Sequence, residues 1–209
     1  MIDLESLDWT KMGGSLPAIV QDADSGEVRM LGYMDREALE ATIRDRLVTF
    51  RSRSKGSLWR KGESSGNLLE LVQVSADCDG DALLLLALPR GPTCHLGMSS
   101  CFGDDGAPGT GFLATLAGTV AERAASSPED SYTARLVESG IKRIAQKVGE
   151  EAVEVVIAAT AGEAEDLASE TADLLYHLTV LLQAAGSSWR AVMAELTRRH
   201  AESNTTASS

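Results

Sequence analysis

No stretch of this sequence approaches the roughly 18 apolar residues that a membrane span needs, and Met1-Ile2-Asp3-Leu4-Glu5 has neither a basic start nor an apolar run after it. The expectation is a cytoplasmic protein without a signal peptide. Cationic residues are outnumbered as well. The formal net charge is -12, which argues against a nucleic-acid backbone as main partner, because neutralising phosphates needs a basic surface. It leaves open an anionic small ligand held through metal ions. Aromatic residues make up only 4% of the chain. Paired C-x-x-C spacing is absent, so a zinc finger or ribbon is excluded. The combined H-x-E and P-C-x-x-C signature of a zinc nucleobase deaminase is missing too. No internal repeat is visible.

What is present divides in two. Apolar content of 44% over 209 residues is ample for one large or two small cores. Residues 1–103 read as β-rich with one helix. Ile19–Asp22 and Val28–Leu31 are short strand-like runs around the turn residues Asp24-Ser25-Gly26. Asp35 can cap a helix to about Arg46. Leu47–Phe50, Leu58–Arg60, a run holding Leu69, Leu71 and Val74, and Ala82–Leu88 complete the strands, with a tight turn expected at Asp79-Gly80. Residues 104–111 are rich in Gly and carry Pro, which suits a linker. From 112 to 201 the periodicity is helical, with breaks at Ser126-Ser127-Pro128, Gly140, Gly162 and Gly186. A polar tail over 202–209 is expected to be disordered. The expected fold is therefore an α+β, β-rich N-terminal domain followed by an all-α helical bundle.

The sharpest signal lies between Asp77 and Cys101. Cys78, Cys94 and Cys101 are the only cysteines, and Cys78 is interleaved with Asp77, Asp79 and Asp81. Thiolates suit zinc, and carboxylates suit a hard ion such as magnesium. Three protein ligands with water in a fourth position is the pattern of a catalytic zinc site. The plainer readings are three small buried apolar residues and a solvated acidic turn. Asp77, Asp79 and Asp81 would repel one another unless a cation lay among them. His95 is open to three roles: ligand, general base or loop residue. Trp59-Arg60-Lys61-Gly62-Glu63-Ser64-Ser65-Gly66-Asn67, with Arg51, Ser52 and Arg53 nearby, could cradle a phosphate through freed backbone amides and cations. It could equally be a polar surface loop.

These motifs, with Gly32-Tyr33-Met34, Gly91-Pro92-Thr93-Cys94-His95 and Ser100-Cys101-Phe102, resemble the phosphoribosyl-AMP cyclohydrolases of histidine biosynthesis over roughly residues 15–103. The resemblance implies zinc on Cys78, Cys94 and Cys101, and magnesium on Asp77, Asp79 and Asp81. It implies a homodimer whose zinc site is shared between subunits. It also implies opening of an adenine ring by water at the N1–C6 bond, with His95 as an acid/base group. The substrate contacts on this reading are Arg51, Ser52, Trp59, Arg60, Lys61, Glu63 and Ser64. Arg51 departs from the aromatic residue usual there, and Met98-Ser99 lacks the basic residues often found before the last cysteine.

In the helical half, Lys147-Val148-Gly149-Glu150-Glu151-Ala152-Val153-Glu154 and Glu170-Thr171-Ala172-Asp173 place Glu150, Glu151, Glu154, Glu170 and Asp173 at helical spacing on two successive helices. Packed antiparallel, these helices would bring five carboxylates together, suited to Mg²⁺ holding a polyphosphate, with Lys147 as a phosphate contact. A solvated acidic face is the bland alternative. The apolar neighbours Val153, Val155, Val156, Ile157, Leu174, Leu175 and Leu178 favour acids drawn inward. This half, from about Leu113 to His200, resembles the phosphoribosyl-ATP pyrophosphohydrolases, all-helical relatives of the MazG-type enzymes. Ser131-Tyr132-Thr133-Ala134-Arg135-Leu136 and Tyr176-His177 add to the match. The implied reaction splits N1-phosphoribosyl-ATP into N1-phosphoribosyl-AMP and pyrophosphate, so one half's product is the other's substrate. The alternatives are a deaminase fused to a general nucleotide pyrophosphatase, and a zinc-stapled module with a helical dimerisation domain.

Overall fold

The structure is a computed structural model that describes residues 2–206, apart from Met12, Asp104, Asp105, Pro108 and Glu163; for 204–206 only the backbone is described. The chain divides into two compact units, Met1–Phe112 and Leu113–Ser209.

The first unit is built on a four-stranded sheet. Its strands are β1 (Leu16–Asp22), β2 (Val28–Met34), β5 (Leu69–Ala76) and β6 (Leu83–Pro89), in the order β2-β1-β6-β5. A second sheet pairs β3 (Thr49–Arg51) with β4 (Leu58–Arg60). Alternation decides which face is buried: Leu16, Ala18 and Val20 of β1 and Leu83, Leu85 and Ala87 of β6 all point into one core. β1 and β6 run parallel although 60 residues of chain lie between them, and every other pairing in the sheet is antiparallel. Helix α1 (Arg36–Asp45) covers the core with Ala38 and Leu39. Asp35 caps it, accepting from the Ala38 amide at 2.9 Å. Its last turn closes on Arg46, a non-glycine residue at φ 57°. That conformation is held from both sides, since the Arg46 carbonyl accepts from Leu71 and its guanidinium donates to the Val72 carbonyl at 3.1 Å.

β5 and β6 do form the expected hairpin, but the connection is not a tight turn. Asp77 to Ala82 make a six-residue loop, closed by Asp77 Oδ1 accepting from the amides of Asp81 and Ala82, both at 3.0 Å. Gly80 rests on the N-terminal segment, its carbonyl accepting from Asp8.

The second unit is helical: α2 (Phe112–Ala124), α3 (Tyr132–Glu138), α4 (Ile141–Ala161), α5 (Ala164–Ala184) and α6 (Trp189–Thr206). Ser131 caps α3 through the Ala134 amide. Gly162, in the left-handed conformation, ends α4. Two helices of 21 residues joined through 162–163 must fold back on each other, and the cross-contacts between Glu151 and His177 and between Glu154 and Glu170 fit an antiparallel pair. Val120, Leu136, Ile144 and Val180 form the small core. Trp189 fastens α6 to α5 by donating to Thr179 at 2.9 Å. α6 runs to Thr206, so residues 202–206 continue a helix rather than form the expected disordered tail. Polarity alone does not end a helix; no Gly or Pro lies between Ser188 and Ser209, and Arg198 bridges Glu195 and Glu202 along its surface. Asp104, Asp105 and Pro108 of the linker, and tail residues 207–209, lie outside the described residues. Residues 109–111 form a 3-10 turn.

Candidate active sites

In the first unit the acidic loop gathers its carboxylates. Asp77, Asp79 and Asp81 each offer an oxygen within 4.8 Å of the others. Lys11, to which the sequence reading gave no role, reaches back over this loop. Its Nζ lies 2.5 Å from both Asp79 and Asp81, and the two carboxylates hold its pKa well above the ordinary value. An ammonium thus partly balances the charge that three carboxylates place there.

The thiols divide unequally. Cys94 and Cys101 lie near enough for Cys94 to act on the Cys101 thiol. Burial first, and then Cys94, raise the Cys101 thiol, while the Lys61 ammonium pulls the other way. Cys78 is exposed on the acidic loop, and among the described residues no group of metal-ligating side chains joins it to the other two. His95 is exposed, with Nδ1 3.9 Å from Cys94 Sγ. The neighbouring Thr93 hydroxyl is buried with no hydrogen-bond partner among the described residues. Two converging thiols beside an orphaned hydroxyl fit a soft ion with an incomplete ligand set.

The candidate phosphate loop is held by backbone geometry. Gly62 has φ +83°, and a Cβ there would collide with the Asn67 carbonyl. Lys61 is buried beneath it. Trp59 is partly exposed and tilts over Phe50, with ring centroids 5.6 Å apart. Glu63 and Ser64 are exposed. The two arginines are engaged: Arg60 pairs with Asp45 at 2.9 Å, and Arg51 clamps the start of α1 through Asp35 at 2.6 Å and Glu37. Ser52 shapes its own turn by accepting from the Lys55 amide.

In the second unit, Glu151 and Glu154 of α4 and Glu170 of α5 place carboxylate oxygens within 4.8 Å of one another. Glu151 is buried, and Lys147, at 2.7 Å, lowers its pKa. Glu154 is pushed up, chiefly by its hydrogen bond with Glu151 and then by that residue's charge. Such crowding is what a divalent cation relieves. Glu150 turns away to Lys147, Gln146 and Arg143, and Asp173 is exposed outside the triad. The sequence reading gave no role to His177. It is buried, donates from Nδ1 to the Asp173 carbonyl at 2.9 Å, and lies 3.5 Å from Glu151. With that proton on Nδ1, Nε2 of the neutral ring can accept from Tyr132 at 3.3 Å. The sequence signal for it was the Tyr-His pair four residues after Asp173, one turn along the same helix face.

Two candidate sites of different chemistry thus occupy two separate units, and comparison with known proteins matches each unit to a family of its own. The family model for phosphoribosyl-AMP cyclohydrolase matches residues 30–103, and that for phosphoribosyl-ATP pyrophosphohydrolase matches residues 113–200. The histidine biosynthesis bifunctional protein HisIE of Xylella fastidiosa strain Temecula1 is 56% identical over 199 residues, 95% of each chain. That of Escherichia coli K12 is 55% identical over 194 residues, covering 93% of this chain and 95% of its own. The chain belongs to this bifunctional cyclohydrolase–pyrophosphohydrolase family of histidine biosynthesis. A relative of the same name in Photobacterium profundum is 50% identical over 200 residues, 93% of this chain and 97% of its own. The order of the two halves, cyclohydrolase before pyrophosphohydrolase, follows from the two matches. Among the described residues no helix is long and apolar enough to cross a membrane.

Proposed function

We propose that the helical unit hydrolyses N1-phosphoribosyl-ATP to N1-phosphoribosyl-AMP and pyrophosphate, and that the N-terminal unit then adds water to open the adenine ring at N1–C6, both in the cytoplasm. The observation that carries this reading is the convergence of Glu151, Glu154 and Glu170 in one unit and of Cys94 with Cys101 in the other. In the helical unit these three acids, joined by Asp173 from the exposed face, would hold Mg²⁺. Glu150 would keep Lys147 in place for the polyphosphate. Mg²⁺ bound there supplies charge neutralisation for phosphoryl chemistry. His177, buried 3.5 Å from Glu151, packs beside that carboxylate.

In the N-terminal unit Cys94, Cys101 and Cys78 would hold zinc, which supplies Lewis acidity for activating water near neutral pH. His95, exposed beside Cys94, would pass a proton to the leaving ring nitrogen. Lys61 and the Gly62–Asn67 loop would take the substrate phosphate, with Trp59, Glu63 and Ser64 beside it. Asp77, Asp79 and Asp81 would take Mg²⁺ in exchange for Lys11. Arg51, Ser52 and Arg60 would shape this pocket from their structural pairings. That exposed Cys78 joins no ligand cluster with the other thiols among the described residues supports a homodimer in which each zinc site draws Cys78 from the partner. So does an exposed apolar stripe on α4, formed by Val153, Val156 and Ile157, that a single copy leaves in water.

The test is incubation of the purified chain with N1-phosphoribosyl-ATP, Mg²⁺ and Zn²⁺. Pyrophosphate release should precede a change in ultraviolet absorbance from ring opening, and chelation of zinc should stop only the second. Pyrophosphate release without ring opening under any metal condition would remove the cyclohydrolase half of the reading.

A further inference from the structure

The arm that carries Cys101 is pinned to the sheet by a nearly buried ion network that belongs to neither active site. β2 is an edge strand, and residues 99–101 run along its open side. The Cys101 amide donates to the Arg29 carbonyl at 2.8 Å, and the Ser100 hydroxyl donates to the Val28 carbonyl at 2.7 Å. Ser99 is held twice: its hydroxyl donates to Glu27 at 2.9 Å, and its carbonyl accepts from Arg29 Nη1 at 3.0 Å. The Arg29 guanidinium is itself fixed. Asp22 accepts from its Nε and Nη2 at 3.2 and 2.7 Å, and Glu27 meets its Nη1 at 2.9 Å. Side-chain exposure is 13% for Arg29, 5% for Asp22 and 11% for Glu27. Asp22 is further tied by the amides of Asp24 and Ser25.

Buried ion pairs contribute little net stability compared with apolar packing of the same volume. What a planar guanidinium held at both ends does provide is orientation. Here the oriented object is a short run of backbone ending in a thiol. Three consecutive residues, 99 to 101, are hydrogen-bonded to three consecutive residues, 27 to 29. The Cys101 main chain therefore has little freedom to turn, and its thiol stays against Cys94. The chain lacks a basic residue at 98 and 99, immediately before Ser100-Cys101, and Arg29 supplies a cation to that segment from another strand.

We propose that Arg29 and Glu27, backed by Asp22, are positioning residues for the metal thiolate of Cys101. This rests on the reading of Cys94 and Cys101 as zinc ligands. Networks that orient metal ligands typically change metal affinity about 10–100-fold when broken.

The test uses the full chain and titrates Zn²⁺ against a chromophoric chelator, with Co²⁺ as a second probe. Arg29→Lys keeps the charge but loses the fork; Glu27→Gln keeps the shape but loses the charge. Both should weaken Zn²⁺ on the order of tenfold and dim the thiolate-to-Co²⁺ absorption, while pyrophosphate release stays as in the native chain and the N-terminal unit remains folded by circular dichroism. Ser99→Ala removes one hydroxyl without burying a new charge, and should weaken Zn²⁺ in the same direction by a smaller factor. Native affinity in all three variants overturns the proposal, and so does a loss of affinity that appears only where the variant is unfolded. If Cys101→Ser binds Zn²⁺ as tightly as the native chain, the metal reading itself fails and takes the proposal with it. If only the network variants do so, the proposal alone fails.

Discussion

Gly32 on β2 lies directly against the ring of Phe50 on β3: a Cβ at Gly32 would stand 3.0 Å from Phe50 Cγ and closer still to two further ring carbons. Phe50 is fully buried, and Trp59 tilts over its ring. The glycine is thus a matter of space rather than of backbone conformation, since its φ is not in the left-handed region. Gly32→Ala should cost about 1–3 kcal/mol, the usual range for overpacking a core. Urea unfolding of the chain measures it. Because the displaced ring carries Trp59 with it, KM for the cyclohydrolase step should rise as well. Native stability in the variant would mean that Phe50 moves freely, and that the contact decides nothing.

Lys11 and Mg²⁺ are expected to compete for the same two carboxylates. The Lys11 ammonium bridges Asp79 and Asp81, and each bridge must open before a hard cation can use those oxygens. Lys11→Met should therefore tighten Mg²⁺ binding at the loop by a few-fold, roughly the worth of one exposed ion pair. Calorimetric titration of the N-terminal site, with Glu151→Gln in the background to silence the helical one, reads it directly. Weaker Mg²⁺ binding in the variant would make Lys11 a support for the loop rather than a competitor.

Asp22 sets an acid limit on the N-terminal unit. Burial pushes its carboxyl up, but the Ser25 and Asp24 amides and Arg29 together outweigh burial, and its pKa is lowered in the folded chain. A depressed folded pKa means the native state binds the proton less readily than the unfolded chain. Its stabilisation is therefore complete above the unfolded value of about 3.9 and disappears as pH falls through the lower folded value. Native stability should decline on acidification below about pH 4. Asp22→Asn should flatten that decline and leave a constant deficit at neutral pH. Thermal midpoints between acid and neutral pH test this, and parallel curves for the two proteins would show that Asp22 is not the group responsible.

Glu150 and Glu151 are adjacent in sequence but not in role. Glu151 is buried in the carboxylate triad, whereas Glu150 is half-exposed between Lys147 and Arg143. Glu151→Gln should lower kcat for pyrophosphate release by at least about 100-fold, because it removes charge where a metal is held. Glu150→Gln should instead raise KM with a modest fall in kcat, through a loosened Lys147. Ring opening of added N1-phosphoribosyl-AMP should be unchanged in both. Equal losses of kcat in the two variants would place Glu150 among the metal ligands.

Much of this arrangement follows from local pattern. The Asp35 cap, the glycine stops at 140 and 162, the β5–β6 hairpin and the spacing of Glu151, Glu154 and Glu170 are all readable from short-range periodicity and turn chemistry. What could not be read is set by distant contacts. The parallel β1–β6 pairing joins segments some 60 residues apart. Lys11 meets Asp79 across 68 residues, and Arg29 meets Ser99 across 70. Periodicity carries no information about such partners. Arg51 shows the same limit: beside a candidate phosphate loop it reads as a donor, and its pairing with Asp35 and Glu37 is not visible in the sequence.

Cys78 forms no ligand cluster with the other two thiols among the described residues, and this leads to the sharpest prediction. If each zinc site takes Cys94 and Cys101 from one protomer and Cys78 from its partner, Cys78→Ser and Cys101→Ser damage opposite halves of it. Each variant alone is a homodimer with two broken sites. A mixed dimer has one site with all three thiols and one with a single thiol. Refolding equal amounts together should therefore restore about a quarter of native cyclohydrolase activity, since random pairing makes half the dimers mixed and each has one intact site of two. Zinc content should recover in the same proportion, which separates true site assembly from a general effect of refolding. If all three cysteines instead served a site within one chain, no mixture could contain an intact site, and activity would stay at the level of the single variants.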